Sequence, residues 1–112
     1  MRQGKKWGYT TEFFRNAIVS AHHLEINKGG FCSEHFHEHK YNVFYVTSGK
    51  LEIIIFREND IDVTVLEKGQ SSAVPPGFWH KFRALEDTEC IEMYQVLLIE
   101  PDIERRTEGG KA

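Results

Sequence analysis

The chain has 112 residues and a net charge of −3, from 14 Lys and Arg against 17 Asp and Glu, which allows one domain with a core of its own and excludes two. Acids and bases are interspersed and the only basic cluster is Lys5-Lys6, so neither nucleic acid nor an anionic membrane is expected as a partner. No apolar run reaches the length of a membrane span and nothing at the start has a signal-peptide pattern, so cytoplasmic residence is expected. Along the chain, residues 1–6 are expected as a flexible end. Residues 17–26 alternate with β-branched members and predict a strand, closed by the turn signal Asn27-Lys28-Gly29-Gly30. Residues 31–37 predict a second strand and 42–48 a third, joined by a hairpin loop. Gly49 turns the chain into the apolar, β-prone run 51–56. After the polar turn 57–60 comes the alternating stretch 61–65, and after Lys68-Gly69 a short strand over 71–74. Pro75-Pro76-Gly77 forces a loop, and strands over 79–85 and 91–99 complete the set. Only Pro101 to Arg106 looks helical, for a turn or two, and residues 107–112 are expected to fray.

Many short strands with turns between them predict an all-β fold, a sandwich or a barrel, with no repeat and no linker. The two cysteines, Cys32 and Cys90, are not expected to pair in a cytoplasmic protein. Cys32 is close enough to the histidines to offer a thiolate, but the simpler reading is a small, semi-buried hydrophobe.

Three of the six histidines, His35, His37 and His39, stand at alternate positions in one short run. On an extended strand alternate side chains share a face, so His35 and His37 can aim two imidazoles at one point. Neutral imidazole is the commonest protein ligand for transition metals, and His80, at the start of a predicted strand, can supply a third. His37 and His39 are the alternative pair, disfavoured because His39 falls in the predicted hairpin loop. His22 and His23 are adjacent, so at most one faces inward, and a half-buried strand pair is the favoured reading.

The spacing extends this pattern. Gly29, five residues, His35-Phe36-His37, four residues, Asn42, six residues and Gly49 form one block. Gly69, five residues, Pro75-Pro76-Gly77, two residues and His80 form another. Both blocks resemble the paired motifs of the cupin superfamily. That resemblance implies a double-stranded β-helix, or jelly-roll barrel, and a metal held by His35, His37, His80 and the residue at Asn42. The family's usual glutamate is Asn42 here, and its usual asparagine after the last histidine is Ala84. An amide oxygen is a neutral, weaker donor than a carboxylate, which removes one negative charge beside a dication.

Further stretches resemble the mannose-6-phosphate isomerase-like (type II) cupin domain: Lys6-Trp7-Gly8-Tyr9, residues 33–49, Val74 to His80, and Asp102-Ile103-Glu104-Arg105. The terminal Tyr-Gly-Arg of that branch is absent. The resemblance implies a divalent transition metal (Zn, Fe, Mn or Ni), a small, sugar-like or sugar-phosphate ligand, and a homodimer. Three readings stay open. A sugar isomerase needs a base, from His39, Glu34 or another pocket residue; a non-haem iron dioxygenase needs a redox metal; a non-enzymatic cupin that binds a small sugar-like ligand, with a metal or without one, needs neither. No residue is assigned a catalytic role.

Overall fold

The computed structural model describes residues 1–96. Nine strands follow one another: β1 (Arg2–Lys5), β2 (Gly8–Arg15), β3 (Val19–Ile26), β4 (Lys40–Ser48), β5 (Lys50–Arg57), β6 (Asp60–Glu67), β7 (Ser71–Val74), β8 (Trp79–Ala84) and β9 (Thr88–Val96). They form two antiparallel sheets, one in the order β1-β2-β3-β9-β4-β7 and one in the order β6-β5-β8. This is the all-β architecture that the strand pattern predicts, and its two antiparallel sheets are consistent with the jelly roll that the resemblance implies. The helical turn expected over 101–106, the end at 107–112 and the last residues of the strand expected to reach 99 lie outside the described residues.

Strand alternation decides which side chains meet. On β5, Leu51, Ile53 and Ile55 are buried while Glu52, Ile54 and Phe56 are half-exposed. On the larger sheet, Leu24 and Ile26 of β3, Phe44 and Val46 of β4 and Cys90 of β9 turn to the same interior. Phe82 and Ala84 of β8 meet them from the smaller sheet. Each large apolar side chain removed from water contributes about 1.5–3 kcal/mol, and together they hold the sheets face to face.

The larger sheet's inner face is apolar at one end and polar at the other. Leu24, Cys90 and Val46 are cross-strand neighbours in one row, and His22, Glu92 and Phe44 form the next. Tyr94 and Asn42 stand opposite each other beyond them. The functional groups gather at that polar end.

Two glycines shape the turns, Gly77 at that end and Gly49 at the opposite one. Gly49 adopts φ 91° between β4 and β5, and a Cβ at that position would lie 2.3 Å from the carbonyl oxygen of Asp87. Gly77, at φ 93°, turns the loop that delivers β8.

The structure differs from the sequence reading in two places. First, β1 and β2 form a hairpin on the edge of the larger sheet, where only a flexible end was expected over residues 1–6. Second, the strand expected over 31–37 is reduced to isolated bridges at Phe31 and His35. The segment runs antiparallel to β8, with Cys32 N–H donating to the Phe82 carbonyl (3.2 Å) and Ala84 N–H to that of Gly30 (2.8 Å). Beyond His35 it leaves β8, because the carbonyl of His37 accepts instead from the N–H of Gly77 (2.8 Å).

Candidate metal centre

His35 and His80 are joined by the backbone itself. Each N–H donates to the other's carbonyl, at 3.0 and 2.9 Å, so the two residues stand directly opposite and their rings lie 4.5 Å apart between centroids. His37 completes a triangle, 5.4 Å from each of the others. One ligand nitrogen from each of the three rings falls within 4.8 Å of the others.

The rings are locked in ligand-ready tautomers. His35 Nδ1 lies 2.8 Å from the carbonyl oxygen of Ser33, and His80 Nδ1 lies 3.1 Å from that of Phe78. A carbonyl only accepts, so each Nδ1 carries the proton and each Nε2 keeps its lone pair, that of His80 facing the Asn42 amide. His37 Nε2 is buried with no hydrogen-bond partner. Burial, opposed by the bond to Phe78 and helped by the neighbouring His35 and His37, pushes His80 down to about 4. Burial first, then His35 and Lys40, also lowers His37. Both are therefore neutral near pH 7, the form that coordinates metal. An orphaned imidazole nitrogen beside two oriented lone pairs fits a divalent transition metal.

Asn42 is wholly buried beside this triangle. Its Nδ2 lies 3.3 Å from His80 Nε2 and donates to Glu92 Oε2 at 3.3 Å, while its Oδ1 is buried without a partner. The residue expected as fourth ligand thus turns an amide donor to the histidine in this arrangement. Glu92 is only 7% exposed, and burial pushes its carboxyl up to about 7 against hydrogen bonds from Asn42 and Tyr94. Sequence reasoning missed it. Its signal was the alternation Cys90, Glu92, Tyr94, which puts an acid on the inward face of an otherwise packed strand.

The remaining candidates lie elsewhere. His39 is exposed beside Glu38, so the register of the converging pair is His35 and His37. Glu34 is exposed as well. His22 faces the interior and meets Tyr94 edge to face at 5.9 Å, while His23 pairs with Glu89 at 3.2 Å on the opposite face. Cys32 and Cys90 are buried free cysteines. Cys32 Sγ accepts from the N–H of Phe82, and burial pushes its thiol up to about 11, so it packs as a thiol, not a thiolate ligand.

A cavity of about 550 Å³ opens beside His35, lined by Trp7, His22, Phe82, Glu92 and Tyr94 among others. Its outer wall comes from β1 and β2, including Gln3, Thr10 and Glu12. Trp7 is fixed there by edge-to-face packing on Phe82 at 5.2 Å.

The cupin domain family matches residues 22–94, a span that holds all three histidines and the whole of the smaller sheet. The chain is a cupin. Solved structures repeat the fold at low identity. KdgF from Halomonas sp. superposes with TM-score 0.74 at 20% identity, over 88% of this chain and 89% of its own. The S161A mutant of Bacillus subtilis oxalate decarboxylase OxdC gives TM-score 0.76 at 18% identity, over 86% of this chain and 27% of its own. The SPY1581 protein of unknown function from Streptococcus pyogenes gives 0.68 at 18% identity, over 80% and 74%. At these identities the likeness is one of fold. No curated protein matches the chain.

Proposed function

We propose that this cupin holds a divalent transition metal on His35, His37 and His80 and takes a small, polar, sugar-like ligand into the adjoining cavity. One observation carries the reading: three imidazoles converge, two with their Nδ1 protons tied to carbonyls and one with an orphaned Nε2. A bound metal would supply Lewis acidity to a ligand oxygen. The chain's own part is to orient the three rings, to exclude water at His80 and Asn42, and to offer hydrogen bonds along the cavity.

The cavity wall supports a hydroxyl-rich ligand. Gln3, Thr10, Ser33 and Tyr94 present amide and hydroxyl groups, and Trp7 presents an aromatic ring. The likeness to the mannose-6-phosphate isomerase-like branch makes a sugar phosphate the first ligand to try. The isomerase reading has no base in its nominated places, since Glu34 and His39 are both exposed. No reaction is therefore assigned. Two buried free thiols suit a reducing compartment, which supports cytoplasmic residence.

A homodimer is part of the same proposal. Ile61 and Val63 of β6 and Trp79 of β8 are each more than half exposed on the outer face of the smaller sheet. Register places Ile61, Phe56 and Trp79 in one row across that face.

The test is metal titration of purified, chelator-stripped protein. Wild type is expected to bind one equivalent per chain, and His80→Ala to bind at least 100-fold more weakly, because one of three ligands is lost. Equal binding by both proteins would dismiss the three-histidine site.

A further inference from the structure

The missing carboxylate has a neighbour. The cupin pattern places a glutamate where this chain has Asn42, and a neutral amide brings no charge to a dication. β9 lies hydrogen-bonded beside β4, with Glu92 opposite Phe44 and Tyr94 opposite Asn42. Glu92 is thereby one step diagonal from Asn42 on the same inward face, and its Oε2 takes a hydrogen bond from the Asn42 amide at 3.3 Å. The same amide nitrogen lies 3.3 Å from His80 Nε2. One side chain thus links a buried carboxyl to a converging imidazole.

That carboxyl lacks a counter-charge. Among the described residues no lysine or arginine forms an ion pair with it. Its direct cross-strand neighbour on β3 is His22, whose imidazole burial keeps toward the neutral form. A carboxyl buried without a cation is costly to ionise, and a cation nearby would lower that cost. Two further groups at the same place are unsatisfied, His37 Nε2 and Asn42 Oδ1. A cation at the three imidazoles would take the lone pairs of His37 and His80, displacing the Asn42 N–H from His80 Nε2, while that amide keeps its bond to the Glu92 carboxylate.

We propose that Glu92 has taken over the charge of the lost ligand, acting from β9 through Asn42 as the anionic partner of a dication held by His35, His37 and His80. Glu92 is then a positioning residue. It holds the Asn42 amide and sets the field at the site without replacing an imidazole. The proposal rests on the metal reading above.

The test compares zinc and cobalt(II) affinity, by chelator competition, in stripped wild type, Glu92→Gln, Glu92→Asp and the double variant Asn42→Glu/Glu92→Gln. Outer partners of metal ligands contribute about 10- to 100-fold in affinity, so Glu92→Gln should weaken binding by that factor. Glu92→Asp keeps the charge and should stay within several-fold of wild type. The double variant returns a carboxylate to the ligand position and should recover the loss. Metal-free Glu92→Gln should unfold no lower than wild type at neutral pH, which separates lost charge from lost fold. If Glu92→Gln binds as tightly as wild type, or the double variant fails to recover, the proposal is overturned. If wild type binds no metal, the three-histidine reading falls and takes this one with it; if only the Glu92 variants behave like wild type, that reading stands alone.

Discussion

At the scale of single residues, the three histidines were legible and Glu92 was not. His35 and His37 announce themselves by alternation, and His80 by its place behind a Pro-Gly loop. Glu92 lies in a run that reads as an ordinary strand, and only the register of β9 on β4 shows that it stands beside Asn42. Its environment has a consequence for pH dependence. Burial raises the Glu92 carboxyl from an ordinary 4.5 to about 7. Between those values the metal-free native state binds more protons than the unfolded chain, so this group lowers stability as pH rises. His80 works in the opposite direction, because burial lowers it from 6.5 to about 4. Its unfolded form binds more protons in that window, so stability rises with pH. The two oppose each other from about pH 4.5 to 6.5. In metal-free Glu92→Gln the contribution of His80, joined by the lowered His37 and His22, is uncompensated. Its melting temperature should climb more steeply over that range than wild type's. Parallel curves would show that Glu92 titrates in the folded protein as it does in the unfolded chain.

At the scale of elements, alternation located the strands from β3 onward, β6 by an apolar row that faces outward and the others by rows that face the core. It failed where pairing is one-sided. Among the described residues the segment around Phe31 to His35 pairs with β8 alone, and it departs once His37 is bonded to Gly77. The alternating histidines therefore do not converge because they ride a long strand. They converge because His35 bridges His80 directly and His37 follows on a chain that has begun to turn. The β1–β2 hairpin escaped notice because its exposed aromatics, Tyr9, Phe13 and Phe14, give no clean inward row. A bulge between Glu12 and Phe14 breaks the register as well. The tight turn into β5 carries its own prediction. Gly49→Ala puts a Cβ against the Asp87 carbonyl and forces a left-handed backbone on a residue that resists it. The loss should be about 1–3 kcal/mol by denaturant unfolding. The core gives a second expectation: Phe44→Ala, at a fully buried site between the sheets, should cost about 3–5 kcal/mol.

At the scale of the whole molecule, two glycine-bounded blocks and a set of short strands specified the cupin architecture. They did not specify the ligand. The cavity is assembled from β1, β2, β3 and β9, Phe82 of β8 and the segment from Cys32 to His35, whose contributions are scattered along the chain and acquire a common purpose only when the sheets meet. Assembly state belongs to this scale too. If the exposed row on the smaller sheet joins two copies, wild type should scatter light at twice the chain mass, and Val63→Lys should shift it toward the monomer. A monomeric wild type would remove the homodimer from the account. The claim on which everything else depends is the coordination of a metal by His35, His37 and His80. X-ray absorption at the zinc edge of the reconstituted protein tests it most directly. The prediction is a first shell containing three imidazole nitrogens at about 2.0–2.1 Å and no sulfur. Failure to bind zinc, a sulfur scatterer, or an unchanged spectrum in His37→Ala would contradict it.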